Sequence, residues 1–280
     1  MTSPAERAAA LAAAGRALSA PHGPGFGTGT DRRPPAPVVL VTSGKGGVGK
    51  STIAVSLAVG LSAAGQRVGL IDADIHAPDV PLMLGVSRTA TARSLTIHAL
   101  PGSPGARLEP VPWRGLQVAS AGFLVADAQA VALSGGLAEA LLARLIWSTA
   151  WDGVTCLVID LPPGTGVITQ FALGLGDSST VLVVTPEQVA HLDTGRLVDL
   201  AASRDHTIVG GVENMAFYPC PHCGEHGSIY PPADPATTIW GRVPKLASVP
   251  ALATIDQDER IEAIRDAVAP ATEAVLARLK

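Results

Sequence analysis

The sequence predicts an α/β fold in which helices cover both faces of a doubly wound, mostly parallel sheet. Two patterns support this prediction. Short β-branched runs alternate with longer helical stretches along most of the chain, and the β-branched runs are almost continuously apolar. Strands of a parallel sheet read in this way because they are buried on both faces, each being followed by a helix that returns over the sheet.

The predicted elements begin after a tail. Residues 1–37 join an alanine-rich start to a Gly/Pro-rich link, so we expect a flexible tail there and one domain over 38–280. Two connections, 85–115 and 215–240, are long, and long loops in compact domains are often functional. Predicted strands cover 38–42, 67–71, 116–120, 154–160, 180–185 and 207–212, and predicted helices cover 50–64, 128–147, 169–175, 188–203 and 259–279.

The charge and hydropathy of the chain argue against two classes of partner. Its net charge is −4 at pH 7, which gives no general attraction to nucleic-acid phosphates or to anionic lipid. No apolar run reaches the length of about 18 residues that suggests a membrane-spanning helix. We therefore expect a cytoplasmic protein with neither nucleic acid nor membrane as a partner, whose three cysteines stay reduced.

A glycine-rich segment between the first predicted strand and the first predicted helix fits the pattern Gly-x-x-x-x-Gly-Lys-Ser. Glycines let backbone N–H groups surround phosphate oxygens, and the following helix presents its positive end to the same anion. We expect Lys50 to reach the β- and γ-phosphates of ATP and the Ser51 hydroxyl to bind Mg²⁺. The predicted nucleotide contacts are Gly44, Gly46, Gly47, Val48, Gly49, Lys50, Ser51 and Thr52.

Two aspartates follow predicted strands and are candidates for the same site. Asp160 ends the apolar run 154–160 and precedes a Gly/Pro-rich loop, so we expect it to serve Mg²⁺. Asp74 follows the run 67–71 and is placed to orient water or a metal-bound water. Either residue could instead be a helix N-cap or a turn residue.

Several motifs together resemble one known group of ATPases. Lys45, which directly follows the first glycine of the loop, resembles the deviant Walker A motif of the group that contains MinD, ArsA and the nitrogenase iron protein. Within that group the chain resembles the Mrp/ApbC type of iron–sulfur cluster carrier. The motifs that carry this resemblance are DADIHAPDVP at 72–81, GFL at 122–124, DLPPGTG at 160–166 and VENM at 212–215.

The resemblance implies a P-loop NTPase fold of the MinD and nitrogenase-iron-protein type, and a homodimer that closes around ATP. It implies that Lys45 reaches the nucleotide of the partner, that Asp74 supports hydrolysis and that Asn214 lies near the adenine. It also assigns Asp160 to Mg²⁺. Val167 stands where relatives carry an acidic residue, so we expect slow hydrolysis.

The loop 215–240 contains one Cys-x-x-Cys motif, Cys220 and Cys223. Two thiolates are half of the ligands that zinc or an iron–sulfur cluster takes. The resemblance implies that two chains together hold a [4Fe–4S] cluster at the dimer interface. Alternatively, His222 or His226 could complete a zinc site within one chain. The third cysteine lies in the predicted strand 154–160 and is expected in the core.

The leading hypothesis is therefore an ATP-hydrolysing carrier that passes an iron–sulfur cluster to apoproteins. One alternative is a MinD/ParA-like ATPase that organises cell contents, against which stand the acidic charge and a final segment without a basic amphipathic face. Another is a P-loop ATPase with a structural zinc site. A redox ATPase like the nitrogenase iron protein would need cluster cysteines after its switch loops, where this sequence has none.

Overall fold

The structure, a computed structural model, describes most of the chain from residue 33 onward. The described residues are 33–75, 77–86, 108–123, 135–220, 222–231, 233–252 and 256–279. Most of the predicted tail, 1–37, lies outside these ranges, so its flexibility stays a prediction.

Within the described ranges, most strands of the central sheet are followed by a helix. The strands are β1 (Val38–Thr42), β2 (Val68–Asp72), β3 (Val111–Trp113), β4 (Leu116–Ser120), β5 (Cys156–Asp160), β6 (Ser178–Val184), β7 (Ile208–Glu213), β8 (Tyr218–Pro219), β9 (His226–Gly227) and β10 (Lys245–Ser248). The helices are α1 (Lys50–Ala63), α2 (Val80–Met83), α3 (Gly135–Trp147), α4 (Val167–Leu173), α5 (Gln188–Ser203), α6 (Gln257–Ala267) and α7 (Ala269–Leu279).

Eight strands form one sheet in the order β10-β7-β6-β1-β5-β2-β4-β3, and β8 and β9 form a separate hairpin. Within the eight-stranded sheet, β3 and β4 are antiparallel and the other neighbours are parallel. The predicted doubly wound, mostly parallel sheet is confirmed. Because β1, β2, β5, β6 and β7 run the same way, their carboxyl ends meet at one edge of the sheet, where such folds bind ligands.

The core lies on both faces of the central strands. Every residue of β1, β2 and β5 is buried. Helix α1 is also buried over most of its surface, since it packs against the sheet and against α6 and α7. Among the described helices, none combines the length and the apolar character that crossing a membrane requires.

Some element boundaries differ from the predicted ones. The edge strands β3 and β10 were not predicted, because they have only three and four residues and are partly exposed, so neither forms an apolar run. The predicted helix 259–279 is two helices that meet at Val268. Pro270 falls in the first turn of α7, where its missing N–H disrupts no helical hydrogen bond. The predicted helix 128–147 is described only from Gly135.

Cys156 begins β5 and is fully buried, and burial raises the pKa of its thiol to about 12. We expect Cys156→Ser to lower the free energy of unfolding by about 1–3 kcal/mol, because the new hydroxyl would be buried without a partner. Urea unfolding measures this, with exposed Cys223→Ser as the matched control. A Cys156→Ser protein as stable as the control would show that the strand tolerates a polar atom there.

Candidate nucleotide and cysteine sites

The glycine-rich loop connects the end of β1 to the start of α1 at the carboxyl edge of the sheet. Gly47 and Gly49 have φ angles of 79° and 80°, in the left-handed region that glycine adopts without strain. A Cβ atom at Gly46 or Gly47 would meet almost nothing, with Pro163 Cγ at 3.9 Å from the former and no atom within 4 Å of the latter. The loop therefore leaves open space beside its backbone, as a phosphate-binding turn requires.

Helix α5 packs against the start of this loop, at Gly44. The Gly44 N–H donates to the hydroxyl of Thr194 at 3.3 Å. The backbone of Asp193 and Thr194 passes so close to Gly44 that a side chain there would overlap it. Gly44 is thus required for packing as well as for the phosphate turn.

A buried ion pair lies under the loop. The Lys50 ammonium donates to Asp160 Oδ1 at 2.7 Å, and the side chains are 8% and 1% exposed. The other carboxylate oxygen, Oδ2, is buried with no hydrogen-bond partner among the described residues. Burial raises the pKa of Asp160, and the charge of Lys50 opposes that shift.

The residues around this pair fit Mg²⁺ and a nucleotide phosphate. Ser51 Oγ lies 3.4 Å from the Lys50 ammonium and Asp160 Oδ1 lies 2.7 Å from it, so hydroxyl, carboxylate and ammonium converge at one point. Hydroxyl and carboxylate oxygens are the protein ligands that Mg²⁺ prefers. The unpaired Oδ2 is a buried acceptor that a cation would satisfy. Thr52 follows in the first turn of α1.

Two further aspartates lie at the end of β2. Asp72 is fully buried and accepts hydrogen bonds from Ser120 Oγ at 2.9 Å and from the N–H groups of Val80 and Asp74 at 3.3 and 3.2 Å. Burial, followed by the charge of Asp160, raises the pKa of Asp72 well above its usual range. Asp74 is partly exposed, and its Oδ1 accepts from the Ala77 N–H at 3.2 Å, which is the turn role that the sequence left open.

Lys45 points away from the Lys50–Asp160 pair of its own chain. Its ammonium donates to Glu187 Oε2 at 2.6 Å, and both side chains are about one-third exposed. Glu187 is the residue that precedes α5. The structure thus places the two loop lysines in different environments, with Lys50 buried against Asp160 and Lys45 about one-third exposed beside Glu187.

Asn214 follows β7 and contacts the later part of the loop. It is buried, and its Nδ2 donates to the Val48 carbonyl at 2.8 Å. The same Nδ2 occupies the space that a side chain at Gly49 would need. The adjoining residue, Met215, has a φ angle of 53° and begins the cysteine loop.

The two cysteines lie on an exposed hairpin built from β8 and β9. The Cys220 N–H donates to the Glu225 carbonyl at 2.8 Å, and the Gly224 N–H donates back to the Cys220 carbonyl at 2.9 Å. Gly224 has a φ angle of 75°, which closes the turn. Cys220 is partly exposed and Cys223 is exposed, so both thiols are available to a metal and a partner.

Hydrogen bonds favour the thiolate at the first of these cysteines. The backbone N–H groups of His222 and Cys223 lower the pKa of Cys220, and the Cys223 side chain adds to the effect. The His226 ring stacks on Phe217 with centroids 4.0 Å apart. Within the part of the chain that the structure describes, no three His, Cys, Asp or Glu side chains are grouped so that they could hold a metal ion.

Comparison with known proteins identifies the family. A sequence model of the family described as "ParA: NUBPL iron-transfer P-loop NTPase" matches residues 36–277, which is most of the chain. The chain belongs to this family. The resemblance to P-loop ATPases of the iron–sulfur carrier type, stated from the motifs, is confirmed.

Curated relatives in this family carry the name iron-sulfur cluster carrier protein. Those from Escherichia coli K12 and Haemophilus influenzae are 37% and 38% identical over 195 and 196 residues, which is 69% of this chain and 50% of each relative. A relative from Pyrococcus abyssi is 36% identical over 201 residues, covering 69% of this chain and 66% of its own. The chain thus spans about half the length of the two bacterial relatives.

Solved structures of the family's fold also match. A nucleotide-binding protein from Archaeoglobus fulgidus, in complex with ADP, has a TM-score of 0.61 and 28% identity, covering 84% of this chain and 88% of its own. The cell division ATPase MinD from Pyrococcus furiosus has a TM-score of 0.58, covering 86% and 99%. At 20% identity the second match shows the fold alone.

The structure adds four site residues that the sequence did not single out. Their position along the sequence could have indicated them, because each lies at or just beyond the carboxyl end of a strand or in the first turns of the next helix. Glu187 and Thr194 follow β6, whereas Asp72 and Ser120 end β2 and β4. The contacts they make depend on the order of strands in the sheet, which the sequence alone does not give.

A matched pair of loop variants tests the packing against α5. We expect Gly44→Ala to lower the free energy of unfolding by more than about 2 kcal/mol, since the methyl group would overlap the Thr194 backbone. Gly46→Ala should change it by less than about 1 kcal/mol, because the nearest atom to its Cβ would be 3.9 Å away. Denaturant unfolding of both variants measures this. Equal stabilities would contradict the tight packing of the loop.

Proposed function

We propose that the chain is an ATP-hydrolysing iron–sulfur cluster carrier that holds a [4Fe–4S] cluster at a homodimer interface and delivers it to apoproteins. Residues 38–280 would form its ATPase domain, with the cysteine loop at 215–240. One observation carries the proposal: the hairpin that bears Cys220 begins at Tyr218, four residues after Asn214, which contacts the phosphate loop. Membership of the iron-transfer family and the names of its relatives support it.

Binding of ATP with Mg²⁺ would rearrange the buried ion pair. Lys50 is the buried ammonium nearest to the open backbone of the loop, so it would turn from Asp160 to the phosphates. Asp160, with Ser51, would then hold Mg²⁺, which supplies charge neutralisation at the reacting phosphate. The arrangement needs both partners, because removing either charge leaves the other buried and unpaired.

Asn214 would select the base of the nucleotide. One of the two Nδ2 N–H groups donates to the Val48 carbonyl, and Oδ1 would face the ligand as the acceptor of this side chain. That oxygen accepts hydrogen bonds only. An acceptor at this position suits the amino group of adenine and opposes the carbonyl oxygen that guanine carries in its place.

A second copy of the chain would cover the loop. Val167, Val189 and Leu192 are between 46% and 50% exposed, and they lie at the start of the two helices that border the nucleotide loop. Exposed apolar side chains next to a site are typical of an interaction surface. Lys45 lies on this rim and could leave Glu187 to reach the nucleotide of the partner, adding positive charge in the transition state.

The same two-fold arrangement would complete the cluster site. Each hairpin offers one partly exposed and one exposed thiol, and a cluster takes four ligands. A homodimer places equivalent residues around one axis, so that two Cys220–Cys223 pairs can face each other. The stacking of His226 on Phe217 disfavours the alternative of a one-chain zinc site that uses this histidine.

The two lysines of the loop should have separable roles. We expect Lys50→Ala to abolish ATP binding, whereas Lys45→Ala should retain binding and lose most hydrolysis, because Lys45 acts only after closure. Equilibrium binding of a fluorescent ATP analogue and steady-state phosphate release measure the two steps. Wild-type turnover should stay below about 10 s⁻¹, the median for enzymes. An equal loss of binding in both variants would refute the role of Lys45 in the partner's site.

The cysteine loop should hold iron only as a dimer. After anaerobic reconstitution, Cys220→Ser and Cys223→Ser should each lose the cluster and dimerise more weakly, while ATP binding persists because the phosphate loop uses other residues. Cys156→Ser and His226→Ala are controls that should keep the cluster, since one is in the core and the other is stacked on Phe217. Metal content per chain and sedimentation mass are the measurements. Zinc bound to a monomer and lost in His226→Ala would overturn the carrier proposal.

A further inference from the structure

The carboxyl group of Asp72 is a buried titratable group that the proposed mechanism leaves without a role. It ends β2 and is 0% exposed. In the parallel register, Asp72 pairs with Asp160 on one side and with Ser120 on the other. Adjacent strands are about 4.8 Å apart, so the carboxylates of Asp72 and Asp160 share one water-poor region.

The hydrogen bonds around Asp72 favour its negative form and oppose the rise in its pKa that burial and the charge of Asp160 cause. Each of the three that it makes is donated to it, by the Asp74 N–H, the Val80 N–H and the Ser120 hydroxyl. An ionised carboxylate accepts hydrogen bonds and donates none. Ser120 is in turn held in place because its Oγ accepts from the Gly122 N–H at 2.9 Å.

These contacts also fix the loop that carries the predicted catalytic aspartate. Asp72 Oδ1 holds the backbone of Asp74, and Oδ2 holds the N-terminus of α2 at Val80. Both ends of the segment 74–80 are therefore attached to one side chain. Asp74 itself contributes charge near Asp160.

The charges in this region do not balance without a further cation. Asp72 and Asp160 contribute two carboxylates, and the Lys50 ammonium is the cation that interacts with both. When Lys50 turns to a phosphate, both carboxylates lose that ammonium. A divalent cation next to Asp160 restores the balance, and a second carboxylate behind the first strengthens its hold.

We propose that Asp72 is a positioning residue for the metal of the nucleotide site. Resting on the proposed ATPase function, this role has two parts: Asp72 adds the second buried negative charge behind Asp160, which tightens Mg²⁺ binding, and it fixes the Asp74 loop beside the ion. Asp72 acts through Asp160 and through backbone N–H groups, and it does not need to touch Mg²⁺.

The test removes the charge of Asp72 while keeping the size of its side chain. Because the amide NH₂ of Asn cannot accept, Asp72→Asn also loses at least one of the accepted hydrogen bonds, so ADP binding is measured both with and without Mg²⁺. Fluorescent ADP is bound to the full chain, and Mg²⁺ is titrated at a fixed nucleotide concentration. We expect Asp72→Asn, which keeps the shape of the side chain, to weaken the apparent Mg²⁺ affinity by about tenfold or more. Its affinity for ADP in the presence of EDTA should be unchanged or higher, because a negative charge near the phosphates is gone.

Thr149→Ala is the matched control. It removes a buried hydrogen bond, from the Thr149 hydroxyl to the Leu145 carbonyl at 2.8 Å, between α3 and the start of β5 and outside the nucleotide site, so the melting temperature should fall while Mg²⁺ affinity stays within about twofold of wild type. Circular dichroism checks the fold of each variant, and Asp72→Ser replaces Asp72→Asn if the latter does not fold.

The outcomes distinguish this inference from the function on which it rests. If wild type binds no nucleotide, the ATPase proposal fails and the role of Asp72 fails with it. If wild type binds ADP with Mg²⁺ and Asp72→Asn shows the same Mg²⁺ dependence, only the inference fails. If Asp72→Asn lost ADP affinity equally with and without Mg²⁺, the inference would also be overturned, because Asp72 would then stabilise the site without acting on the metal.

Discussion

The buried pair of Lys50 and Asp160 is the interaction on which the site depends. Two opposite charges under the phosphate loop are costly to bury and are stable there because they neutralise each other. Their placement follows from the fold. Lys50 begins α1 and Asp160 ends β5, and β5 pairs with β1, so the helix start and the strand end meet at one edge of the sheet.

The glycine-rich loop beside this pair is held in place by packing contacts. The loop backbone is held by α5 through Thr194 and, further along the loop, by Asn214. Both contacts reach the glycine-rich loop at positions where a side chain would overlap its neighbour, namely Gly44 and Gly49. The loop is therefore shaped before any ligand arrives, and the proposed mechanism changes only the ion-pair partners of its two lysines, Lys50 when ATP binds and Lys45 when a dimer closes. Such preorganisation favours phosphoryl transfer, since the fixed dipoles need little rearrangement.

The cysteine hairpin differs from the tightly packed glycine-rich loop. It is exposed, it rests on two short strands, and it offers only two thiols. In the proposed homodimer each chain would supply half of the ligands, which suits a carrier because a cluster that depends on association can be released when the chains separate. The backbone N–H groups around Cys220 favour a thiolate before any metal binds.

Much of the nucleotide site could be predicted from the sequence, because its parts are local. The strand, the glycine loop and the helix of 38–64 are contiguous, and Asp160 is marked by the apolar run that it ends. The contact between Lys45 and Glu187 joins residues 142 positions apart and depends on β6 lying beside β1. Strand order is not encoded in any local pattern, so this contact and the pairing of Asp72 with Asp160 required the structure.

The most direct test of the account is a structure of the chain with Mg²⁺ and a non-hydrolysable ATP analogue. The account predicts that the Lys50 ammonium lies within hydrogen-bond distance of the phosphates and no longer 2.7 Å from Asp160 Oδ1, with Asp160 turned toward Mg²⁺. Bound nucleotide beside an intact Lys50–Asp160 pair would contradict the claim that Lys50 exchanges Asp160 for the phosphates when ATP binds.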